Sequence, residues 1–471
     1  MAVSESQPSP AEEFDVVVLG AGPAGEVCAG RLGEAGISVA LVERELVGGE
    51  CSFYACMPSK GLLRPAQALA EARRVRGAAE AVSGPLDVAA VLARRDEIVH
   101  SLSDEAQLPW VRERGIELVR GSGALDGERR VRVGSRVLLA RRAVVLAPGS
   151  RAAIPPIPGL AEAEPWTNRQ ATTSERVPST LLVLGGGVVA VELAQAYATL
   201  GARVVLVELR ERLIAREEPF ASELVREALE RAGVEVVLDA KAIRVDPGPT
   251  LVLEDGRSFA GEQLLAAVGR TPNTEQLGLE SVGLEGGGYI EVDQRFRVPG
   301  RDWLYAIGDA NGHVLLTHMG KRQARLVAQE ILREGGAHGG RDAGTQGGAD
   351  GADRDCSPRV VFTEPQVAAV GHTLASAHAA GLAVRAVDQS LANAGESFVG
   401  HGAPGEARLI VDDERGVLVG ATFVGVEVAE WLHAATIAVV AEVPLAVLAD
   451  AVPAFPTRSE VWLGLLQKAL A

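Results

Sequence analysis

The sequence predicts an α/β fold made of two Rossmann-like dinucleotide-binding domains followed by a C-terminal α+β domain. Two observations predict the paired domains: a glycine-rich turn between a strand and a helix occurs twice, and an acidic residue ends the next strand each time. A third observation, a series of short apolar segments after residue 356, predicts the last domain. The length of 471 residues suits about three domains of ordinary size.

The first dinucleotide-binding unit follows a polar stretch, Met1–Glu13, that we expect to be a flexible tail. The apolar segment Phe14–Leu19 predicts a buried strand, and a G-x-G-x-x-G turn follows it. The glycines of this turn are Gly20, Gly22 and Gly25. Glycines at this spacing let the backbone approach a pyrophosphate at the N-terminus of the next helix. Glu43 ends the second strand, where a carboxylate can bind a ribose, and the domain is predicted to cover residues 14–156.

The same unit recurs in residues 157–271. The apolar segment Leu181–Leu184 precedes a second glycine-rich turn. This turn contains Gly185 and Gly187, with Ala190 in place of the third glycine. Glu208 follows Gly185 by 23 residues, and Glu43 follows Gly20 by the same number. A single turn of this kind is weak evidence, but two in full context with equal spacing predict two dinucleotide sites.

Three further segments connect these units. The apolar segments Val144–Ser150 and Leu264–Asn273 each end in a turn, and we interpret both as chain crossings between domains. A similar segment, Trp303–Ile307, leads into Gly308 and Asp309, where a strand-end carboxylate could meet a sugar or ribityl hydroxyl. An ordinary turn aspartate is the alternative. Residues 272–334 are therefore predicted to form a central segment that contacts the first domain.

The C-terminal part begins after a segment of unusual composition. Residues 335–356 are rich in Gly, Ala and Asp without an apolar period, which predicts a disordered or mobile linker. Beyond it, residues 357–471 contain short apolar segments that predict an antiparallel sheet, and Val428–Ala441 predicts a packed helix.

Charge and hydropathy exclude two classes of partner. The chain carries 62 acidic and 46 basic residues, a net charge of −16, and such a surface repels nucleic-acid phosphates and anionic lipid. The most apolar late stretch, 434–452, is interrupted by Glu442, Pro444 and Asp450, so it is too short to span a membrane. With four cysteines and no signal-peptide pattern after Met1, we expect a cytoplasmic protein that binds neither nucleic acid nor membrane.

Cys51 and Cys56 are five positions apart, shortly after the first ribose-binding acid. Two thiols at this spacing could form a disulfide if the first helical turn is distorted, and a helix start lowers the pKa of a thiol. No other Cys or His lies between Cys28 and His100, so the sequence predicts no metal site. We therefore interpret the pair as redox-active, with a structural or metal-binding pair as the alternative.

In this order, the motifs resemble the class I pyridine nucleotide-disulfide oxidoreductases, such as dihydrolipoamide dehydrogenase, glutathione reductase and mercuric reductase. The resemblance covers nearly the whole chain and includes the G-G-x-C-x4-C-x-P-S-K segment Gly48–Lys60 and the F-T-E-P segment Phe362–Pro365. It implies FAD in the first unit, NAD(P)H in the second, and a C-terminal dimerisation domain. The protein is then expected to be a homodimeric oxidoreductase whose active site is shared between subunits.

The resemblance also implies individual roles. Electrons pass from nicotinamide through FAD to the disulfide, with Cys56 as the flavin-proximal charge-transfer thiolate and Cys51 as the interchange thiol. Lys60 and Glu192 match the family's ion pair beside the flavin, with an ordinary helix salt bridge as the alternative. Cofactor contacts are implied for Gly20, Gly22, Gly25, Glu43, Ala147, Gly149, Gly185, Gly187, Glu208, Gly269, Arg270, Gly308, Asp309 and Thr317. The helix that starts near Thr317 would direct backbone N–H groups at the flavin's C2 carbonyl.

One position departs from the family pattern. Phe455 occupies the place of the histidine that moves protons to and from the interchange thiol, although Pro456, Thr457 and Glu460 match. A benzyl group cannot act as an acid or base, which argues against turnover of lipoamide or glutathione. Arg458 is a candidate positive charge near the pocket, but it cannot serve as a base at neutral pH.

The acceptor is therefore open: a small-molecule disulfide, a quinone or a similar compound. The first hypothesis is a disulfide reductase that needs no histidine. The alternatives are an NAD(P)H quinone reductase or diaphorase, a mercuric-reductase-like enzyme, and a non-enzymatic redox sensor or degenerate paralogue. Ala469–Ala471 lacks the vicinal cysteines of mercuric reductases.

Residues after the second glycine-rich turn bear on the choice between NAD(H) and NADP(H). Glu208 would accept a hydrogen bond from a ribose 2′-OH and repel a 2′-phosphate, so we expect NAD(H) in preference to NADP(H). Ala190, with Arg210 and Arg212 nearby, leaves NADP(H) open.

Overall fold

The computed structural model describes residues 11–335, 356–399 and 405–471. The chain divides into two compact units. The first comprises residues 1–57, 99–151 and 270–354, and the second comprises 58–98, 152–269 and 355–471. Most of the predicted linker, residues 336–355, and most of the predicted tail, residues 1–10, lie outside the described residues.

The first unit contains a sheet of seven strands within residues 11–335. In spatial order its main path is Glu117–Arg120, Val39–Glu43, Glu12–Leu19, Arg136–Leu146, Arg130–Val133 and Gly123–Leu125, and Leu304–Ala306 also pairs with Arg136–Leu146. The central strands pair in parallel, and their apolar parts, Val16–Leu19, Val39–Val42 and Ala143–Leu146, are fully buried, because both faces of the sheet are covered there. The strand Leu304–Ala306 pairs in parallel with Val144–Leu146 of the first sheet.

The first strand begins at Glu12, two residues before its predicted start. Glu12 pairs with Leu138 in the sheet, and the Arg136 guanidinium donates to both carboxylate oxygens of Glu12 at 2.7 and 2.6 Å. Glu12 and Glu13 thus belong to the sheet rather than to the predicted tail. The sequence pattern did not predict that these charged residues form part of a strand, because the ion-pair partner of Glu12 is 124 residues away.

Helices of the first unit cover the central strands. They are Pro23–Glu34, Gly49–Phe53, Leu108–Glu113 and Thr317–Glu334, with 3-10 turns at His100–Leu102, Glu105–Gln107, Leu279–Val282 and Gly308–Asn311. The first and last of these helices pack closely, since a Cβ on Gly320 would lie only 3.4 Å from that of Ala24. The helix Cys56–Arg74 starts in the first unit and continues into the second.

The second unit contains a parallel sheet and two antiparallel sheets. The parallel strands, in spatial order, are Glu235–Val237, Arg203–Val207, Thr180–Leu184 and Gln263–Ala266. An antiparallel sheet is formed by Ala242–Asp246, Thr250–Leu253 and Ser258–Ala260. The associated helices are Val88–Ile98, Asn168–Thr173, Val188–Thr199 and Pro219–Arg231, with a 3-10 turn at Ala79–Ala81. Short strands at Ser150–Ala152 and Arg270–Pro272 mark the places where the chain passes between the units.

The C-terminal domain has the predicted antiparallel sheet, built from five strands among its described residues. Their spatial order is Arg359–Val361, Gln366–Gly371, Val417–Gly425, Glu406–Asp412 and Val384–Ser390. The predicted helix Val428–Ala441 is a 3-10 turn, Val428–Trp431, followed by the α-helix Leu432–Val440. The other helical segments are Leu374–Ala379, Ala394–Val399, Leu445–Asp450, Arg458–Glu460 and Val461–Leu470. Among all described residues, no helix is long and apolar enough to cross a membrane.

Candidate active site

The first glycine-rich turn leaves an open helix N-terminus. Gly20 has a φ of +100°, and a Cβ on Gly25 would overlap the carbonyl oxygen of Gly20, so both positions require glycine. In front of Gly22, no heavy atom of the described residues lies within 4 Å of a Cβ position. The helix Pro23–Glu34 has no side-chain cap. Its first N–H groups therefore face a space that fits a phosphate group.

Glu43 is fixed to this turn. Its Oε2 accepts the N–H of Ala21 at 2.7 Å, and its Oε1 accepts the N–H of Glu45 at 2.7 Å. The carboxylate is therefore held at the strand end beside the phosphate-sized opening, where the sequence predicts a ribose contact.

The second turn repeats this arrangement. Gly185 has a φ of +111°, and a Cβ there would lie 2.5 Å from the carbonyl oxygen of Ala267. Gly187 faces open space among the described residues, and the helix Val188–Thr199 again has no side-chain cap. The Glu208 carboxylate lies against this turn, since a Cβ on Gly186 would come within 2.8 Å of its Oε2.

Two arginines near Glu208, Arg210 and Arg212, differ in their hydrogen bonds. The Arg212 guanidinium donates to the carbonyl oxygens of Glu217 and Ala215 at 2.8 Å each, and to Ser222 Oγ at 3.2 Å. Arg210 is exposed, and its backbone N–H donates to Glu208 Oε1 at 2.8 Å. Arg212 is therefore committed to the loop and is poorly placed to bind a 2′-phosphate.

Asp309 belongs to a polar network in the first unit. Ser150 Oγ donates to Asp309 Oδ2, and Arg270 donates to Ser150 through Nε–Oγ at 2.6 Å and Nη2–O at 2.7 Å. Arg270 also lies 3.8 Å from the Asp309 carboxylate and 3.7 Å from that of Glu50. The structure thus groups Asp309 and Arg270, two predicted cofactor contacts. It also places Glu50, the residue before the first cysteine of the pair, in this network.

A buried amide beside Gly308 provides a test of whether the implied FAD fits. Gln323 Oε1 accepts the N–H of Gly308 at 2.8 Å and Asn311 Nδ2 at 3.0 Å. Gln323 is fully buried, yet its Nε2 has no hydrogen-bond partner among the described residues. An unpaired buried donor next to the predicted ribityl-binding turn is what a site for a phosphate or sugar oxygen requires. These residues fit the cofactor.

The two cysteines lie in different helices. Cys51 is inside the short helix Gly49–Phe53, and Cys56 begins the helix Cys56–Arg74. The break at Tyr54 and Ala55 provides the local distortion that a disulfide at this spacing needs. Both cysteines are free thiols here, and Cys56 Sγ lies 3.5 Å from Thr317 Oγ1, at the start of the helix Thr317–Glu334.

The surroundings of Cys51 raise the pKa of its thiol. The hydrogen bond with Cys56 raises the pKa of the Cys51 thiol most, followed by burial and the negative charge of a Cys56 thiolate. The Thr317 hydroxyl and the Lys321 ammonium lower the pKa of Cys51 but do not reverse the shift.

Glu26 is a site residue that the sequence analysis missed. Burial raises its pKa to about 7, the Lys321 charge lowers it, and the Glu43 charge raises it. Glu26 lies one turn after Gly22, in the helix that follows the first glycine-rich turn. Only the three-dimensional structure reveals its burial, but an acidic residue in the first turn of the helix after a phosphate-binding turn was a visible signal.

Replacing Glu26 by Gln is expected to stabilise the protein in a pH-dependent way. The carboxyl's pKa is about 7 in the folded protein against an ordinary value of 4.5, so the folded state binds more protons between these values. The wild type should lose stability as pH rises through this window. Glu26→Gln should match the wild type at pH 4.5 and exceed it by up to about 3 kcal/mol at pH 8.

Urea unfolding at pH 4.5, 6, 7 and 8 measures this difference. Glu105→Gln is the control, because Glu105 is exposed and its substitution should leave the pH profile unchanged. A Glu26→Gln profile parallel to that of the wild type would contradict the raised pKa.

Lys60 and Glu192 form an ion pair in the second unit. Lys60 Nζ lies 2.7 Å from Glu192 Oε2, and the Glu192 side chain is only 4% exposed. Lys60 is one turn after Cys56 in the same helix, and its ammonium lies 4.6 Å from the ring centroid of Phe362. The second carboxylate oxygen of Glu192 accepts the N–H of Phe362 at 2.9 Å.

The segment Phe362–Glu364 is itself held by side chains from two helices, which the sequence analysis did not anticipate. Gln67 donates to the carbonyl oxygen of Phe362 at 2.8 Å, and Arg74 pairs with the Glu364 carboxylate at 2.7 Å. Gln195 bonds both the N–H and the carbonyl oxygen of Glu364, at 2.7 and 3.0 Å. Lys60, Gln67 and Arg74 recur every seven residues, a polar stripe that could have been noticed.

Arg458, in the C-terminal segment, lies in a different environment from the one that the sequence suggested. Phe455 is 76% exposed, but Arg458 is only 8% exposed and lies 3.3 Å from Glu396 and 3.5 Å from Glu427. Its guanidinium also donates to the carbonyl oxygen of Val426. Arg458 is thus used inside its own domain and does not offer the free charge that the sequence suggested. Glu460 Oε2 is buried with no hydrogen-bond partner among the described residues.

Comparison with protein families decides where the chain belongs. The model described as "Pyridine nucleotide-disulphide oxidoreductase" matches residues 14–324, and that of the same family's dimerisation domain matches residues 357–465. The chain belongs to this family. It is an FAD-dependent NAD(P)H oxidoreductase with a dimerisation domain, and its α/β fold with two dinucleotide-binding domains is confirmed.

Named relatives and solved structures agree with the family. A mercuric reductase of Acidithiobacillus ferrooxidans is 32% identical over 93% of this chain and 79% of its own length. A dihydrolipoyl dehydrogenase of Haloferax volcanii is 29% identical over 97% of this chain and 96% of its own. The Cu(II) complex of the HOCl-induced flavoprotein disulfide reductase RclA from Escherichia coli has a TM-score of 0.83 at 25% identity, covering 97% and 99% of the two chains.

Proposed function

We propose that this protein is a disulfide reductase in which Cys51 reacts with the acceptor and Cys56 faces the flavin. The observation that carries the proposal is the position of Cys56. Its Sγ lies 3.5 Å from Thr317 Oγ1, at the start of a helix whose N–H groups have no side-chain cap. A helix N-terminus favours negative charge, which suits a flavin-facing thiolate at Cys56 and leaves Cys51 as the exchanging thiol.

The proposed cofactor contacts follow the two turns. FAD would lie against the first turn, with its ribose at Glu43, its ribityl chain at Asp309 and its ring near Thr317. When bound, FAD supplies two-electron transfer between NAD(P)H and the cysteine pair. Lys60, one turn after Cys56, and Glu192 would hold a fixed charge near the ring.

Each turnover needs two thiol–disulfide exchange steps, one at Cys51 and one at Cys56. The Cys51 thiolate attacks one sulfur of the acceptor disulfide, whose S–S bond breaks and releases one thiolate. The Cys56 thiolate then attacks the Cys51 sulfur of the mixed disulfide, which forms the Cys51–Cys56 disulfide and releases the second thiolate. The dithiol loses two electrons, the acceptor gains them, and the two cysteine protons end on the two product thiols.

NADH is the proposed electron donor. Glu208 lies against the second turn, and Arg212 is occupied by its own loop. A carboxylate at this place favours a ribose 2′-OH over a 2′-phosphate.

Replacing Glu208 by Ala is expected to change this preference. The ratio of kcat/KM for NADH to that for NADPH should fall by about tenfold or more, since a hydrogen bond to a charged group contributes about 1.5–3 kcal/mol. Steady-state kinetics with both nucleotides measure the ratio. An unchanged ratio would show that Glu208 does not distinguish a ribose 2′-OH from a 2′-phosphate.

Phe455 restricts the acceptor. In the proposed homodimer the site is shared between subunits, and the exposed ring of Phe455 stands where an imidazole would assist lipoamide or glutathione exchange. Acceptors whose leaving thiols have low pKa values need the least help from a base, and we propose these as substrates. Direct reduction of quinones by the flavin is the second candidate, favoured by the exposed apolar ring.

A screen of acceptors with NADH tests the function. Aromatic disulfides with acidic thiols, glutathione disulfide, lipoamide, quinones and mercuric ion would each be supplied to the FAD-bound protein. We expect turnover of the aromatic disulfides to exceed that of glutathione disulfide and lipoamide by at least about tenfold, within the range typical of a lost acid–base group. Turnover of quinones alone would reject the disulfide assignment.

A further inference from the structure

Residues 209–218 form the loop that precedes the helix Pro219–Arg231, and this loop is joined to the second glycine-rich turn. The N–H of Ile214 donates to the carbonyl oxygen of Gly186 at 2.8 Å. Leu213 packs at the same place, since a Cβ on Gly186 would come within 2.9 Å of its Cδ2. A shift of the loop would therefore move the backbone of the turn.

Ile214 has a backbone conformation that needs support. Its φ is +38°, in the left-handed region that β-branched residues rarely adopt. A residue keeps such a conformation only where its surroundings fix it. The N–H of Glu217 donates to the carbonyl oxygen of Ile214 at 2.9 Å, and Arg212 Nη1 donates to the carbonyl oxygen of Glu217 at 2.8 Å. The position of Glu217 therefore determines whether the loop stays closed around Ile214.

The Glu217 side chain is held by the C-terminal domain. It is buried, and its Oε1 accepts a hydrogen bond from Arg359 Nε at 2.7 Å. Arg359 Nη1 also donates to the carbonyl oxygen of Gly371, in the neighbouring strand of the C-terminal sheet, at 3.0 Å. Oε2 of Glu217 has no hydrogen-bond partner within the part of the chain that the structure describes. Arg359 thus fixes the Glu217 carboxylate from outside the second dinucleotide-binding domain.

The next residue, Glu218, attaches the following helix separately. Its Oε1 accepts the N–H of Leu374 at 2.8 Å, and its Oε2 accepts Arg408 Nη1 at 3.0 Å. Both partners again belong to the C-terminal domain, and Glu218 is almost fully buried. Loss of Arg359 would therefore release the loop while the helix that follows stays attached.

We propose that Arg359 is a positioning residue for the nicotinamide nucleotide, acting through Glu217 and Ile214 on the backbone of the second glycine-rich turn. The inference rests on the proposed function, which places NADH at this turn. Glu208, the proposed ribose contact, is tied to the same loop, because its Oε1 accepts the N–H of Arg210 at 2.8 Å. A loop fixed in one conformation increases the affinity, since the apparent affinity falls with the fraction of molecules in the binding-competent state.

The variant Arg359→Met tests this in the FAD-bound protein, with NAD⁺ as the probe because it cannot reduce the flavin. The dissociation constant from titration calorimetry should rise by at least about tenfold, the effect of losing a hydrogen bond to a charged group. Trypsin gives a second measurement that needs no nucleotide. Arg210 and Arg216 are exposed in the loop, and cleavage after them should be about tenfold faster in Arg359→Met, because the open loop is more populated.

Arg385→Met is the matched control. Arg385 lies in another strand of the same sheet, and its Nε is 2.8 Å from the carboxylate of Asp413, which belongs to the C-terminal domain itself. This variant should keep the NAD⁺ dissociation constant and the rate of trypsin cleavage within about twofold of the wild type.

The double variant Arg359→Met/Glu217→Gln separates positioning from stability. It removes the unpaired buried charge, so it should recover part of the resistance to urea that Arg359→Met loses. The NAD⁺ dissociation constant should stay at the value for Arg359→Met, because the anchor is still missing. Flavin content shows which variants are folded, and the double variant provides the affinity and cleavage tests if Arg359→Met alone does not fold.

The inference is overturned if Arg359→Met keeps the wild-type affinity for NAD⁺ or the wild-type rate of loop cleavage. It is also overturned if the double variant regains the affinity together with the stability. Glu208→Ala distinguishes this failure from that of the proposed function. If Glu208→Ala weakens NAD⁺ binding and Arg359→Met does not, only the role of Arg359 is rejected; if neither weakens it, the proposed nucleotide site is rejected as well.

Discussion

Replacing Cys51 by Ser is expected to lower kcat/KM for disulfide acceptors by more than about 10³-fold, because a serine hydroxyl cannot replace the thiolate nucleophile. The break between the two cysteine helices places Cys51 next to Cys56, so no other cysteine is in position to substitute for it. Reduction of quinones, if it occurs directly at the flavin, should stay within about threefold of the wild type. The ratio of the two activities is the quantity to measure.

Cys356→Ser is the matched control, since Cys356 lies at the edge of the C-terminal domain and outside the pair. It should leave both activities unchanged. Full disulfide turnover by Cys51→Ser would remove Cys51 from the reaction and leave the flavin as the direct donor.

Replacing Lys60 by Met should destabilise the protein by about 3–5 kcal/mol, since it leaves the Glu192 carboxylate buried without its partner. The Glu192 side chain is 4% exposed, and the N–O distance to Lys60 is 2.7 Å. Lys241→Met is the control, because the Lys241–Glu254 pair has a similar distance of 2.8 Å but its side chains are 57% and 63% exposed. This second substitution should cost only about 0–1 kcal/mol.

Chemical unfolding of both variants compares the two losses. The double variant Lys60→Met/Glu192→Gln should recover most of the lost stability, because the amide oxygen can still accept the Phe362 N–H at no charge cost. Equal losses for Lys60→Met and Lys241→Met would show that burial of the pair does not govern its energy.

The parts of the fold that local chemistry dictates were predictable. Gly20 and Gly185 both have positive φ and both lie against a backbone carbonyl, which explains why each turn begins with glycine. The apolar strands on either side of each glycine-rich turn and helix predicted the parallel sheets, since strands buried on both faces are apolar on both faces. The strand Val384–Ser390 was missed, because an edge strand with a single fully buried side chain carries only a weak apolar signal.

The parts of the site that depend on distant residues were not predictable. Phe362 meets Lys60 and Glu192 only after the C-terminal domain has folded against two earlier helices. Arg458 looked like a free charge, yet it is buried between two glutamates. The raised pKa of Glu26 depends on burial, which no spacing rule reports.

Anaerobic titration of the FAD-bound protein with NADH tests the central claim most directly, with absorbance spectra and alkylation of Cys51 and Cys56 followed together. The account predicts that the first two electrons make both cysteines alkylatable and produce a long-wavelength absorption band while the flavin stays oxidised. The next two electrons should bleach the flavin. Bleaching by the first two electrons, with the Cys51–Cys56 disulfide intact, would contradict the account.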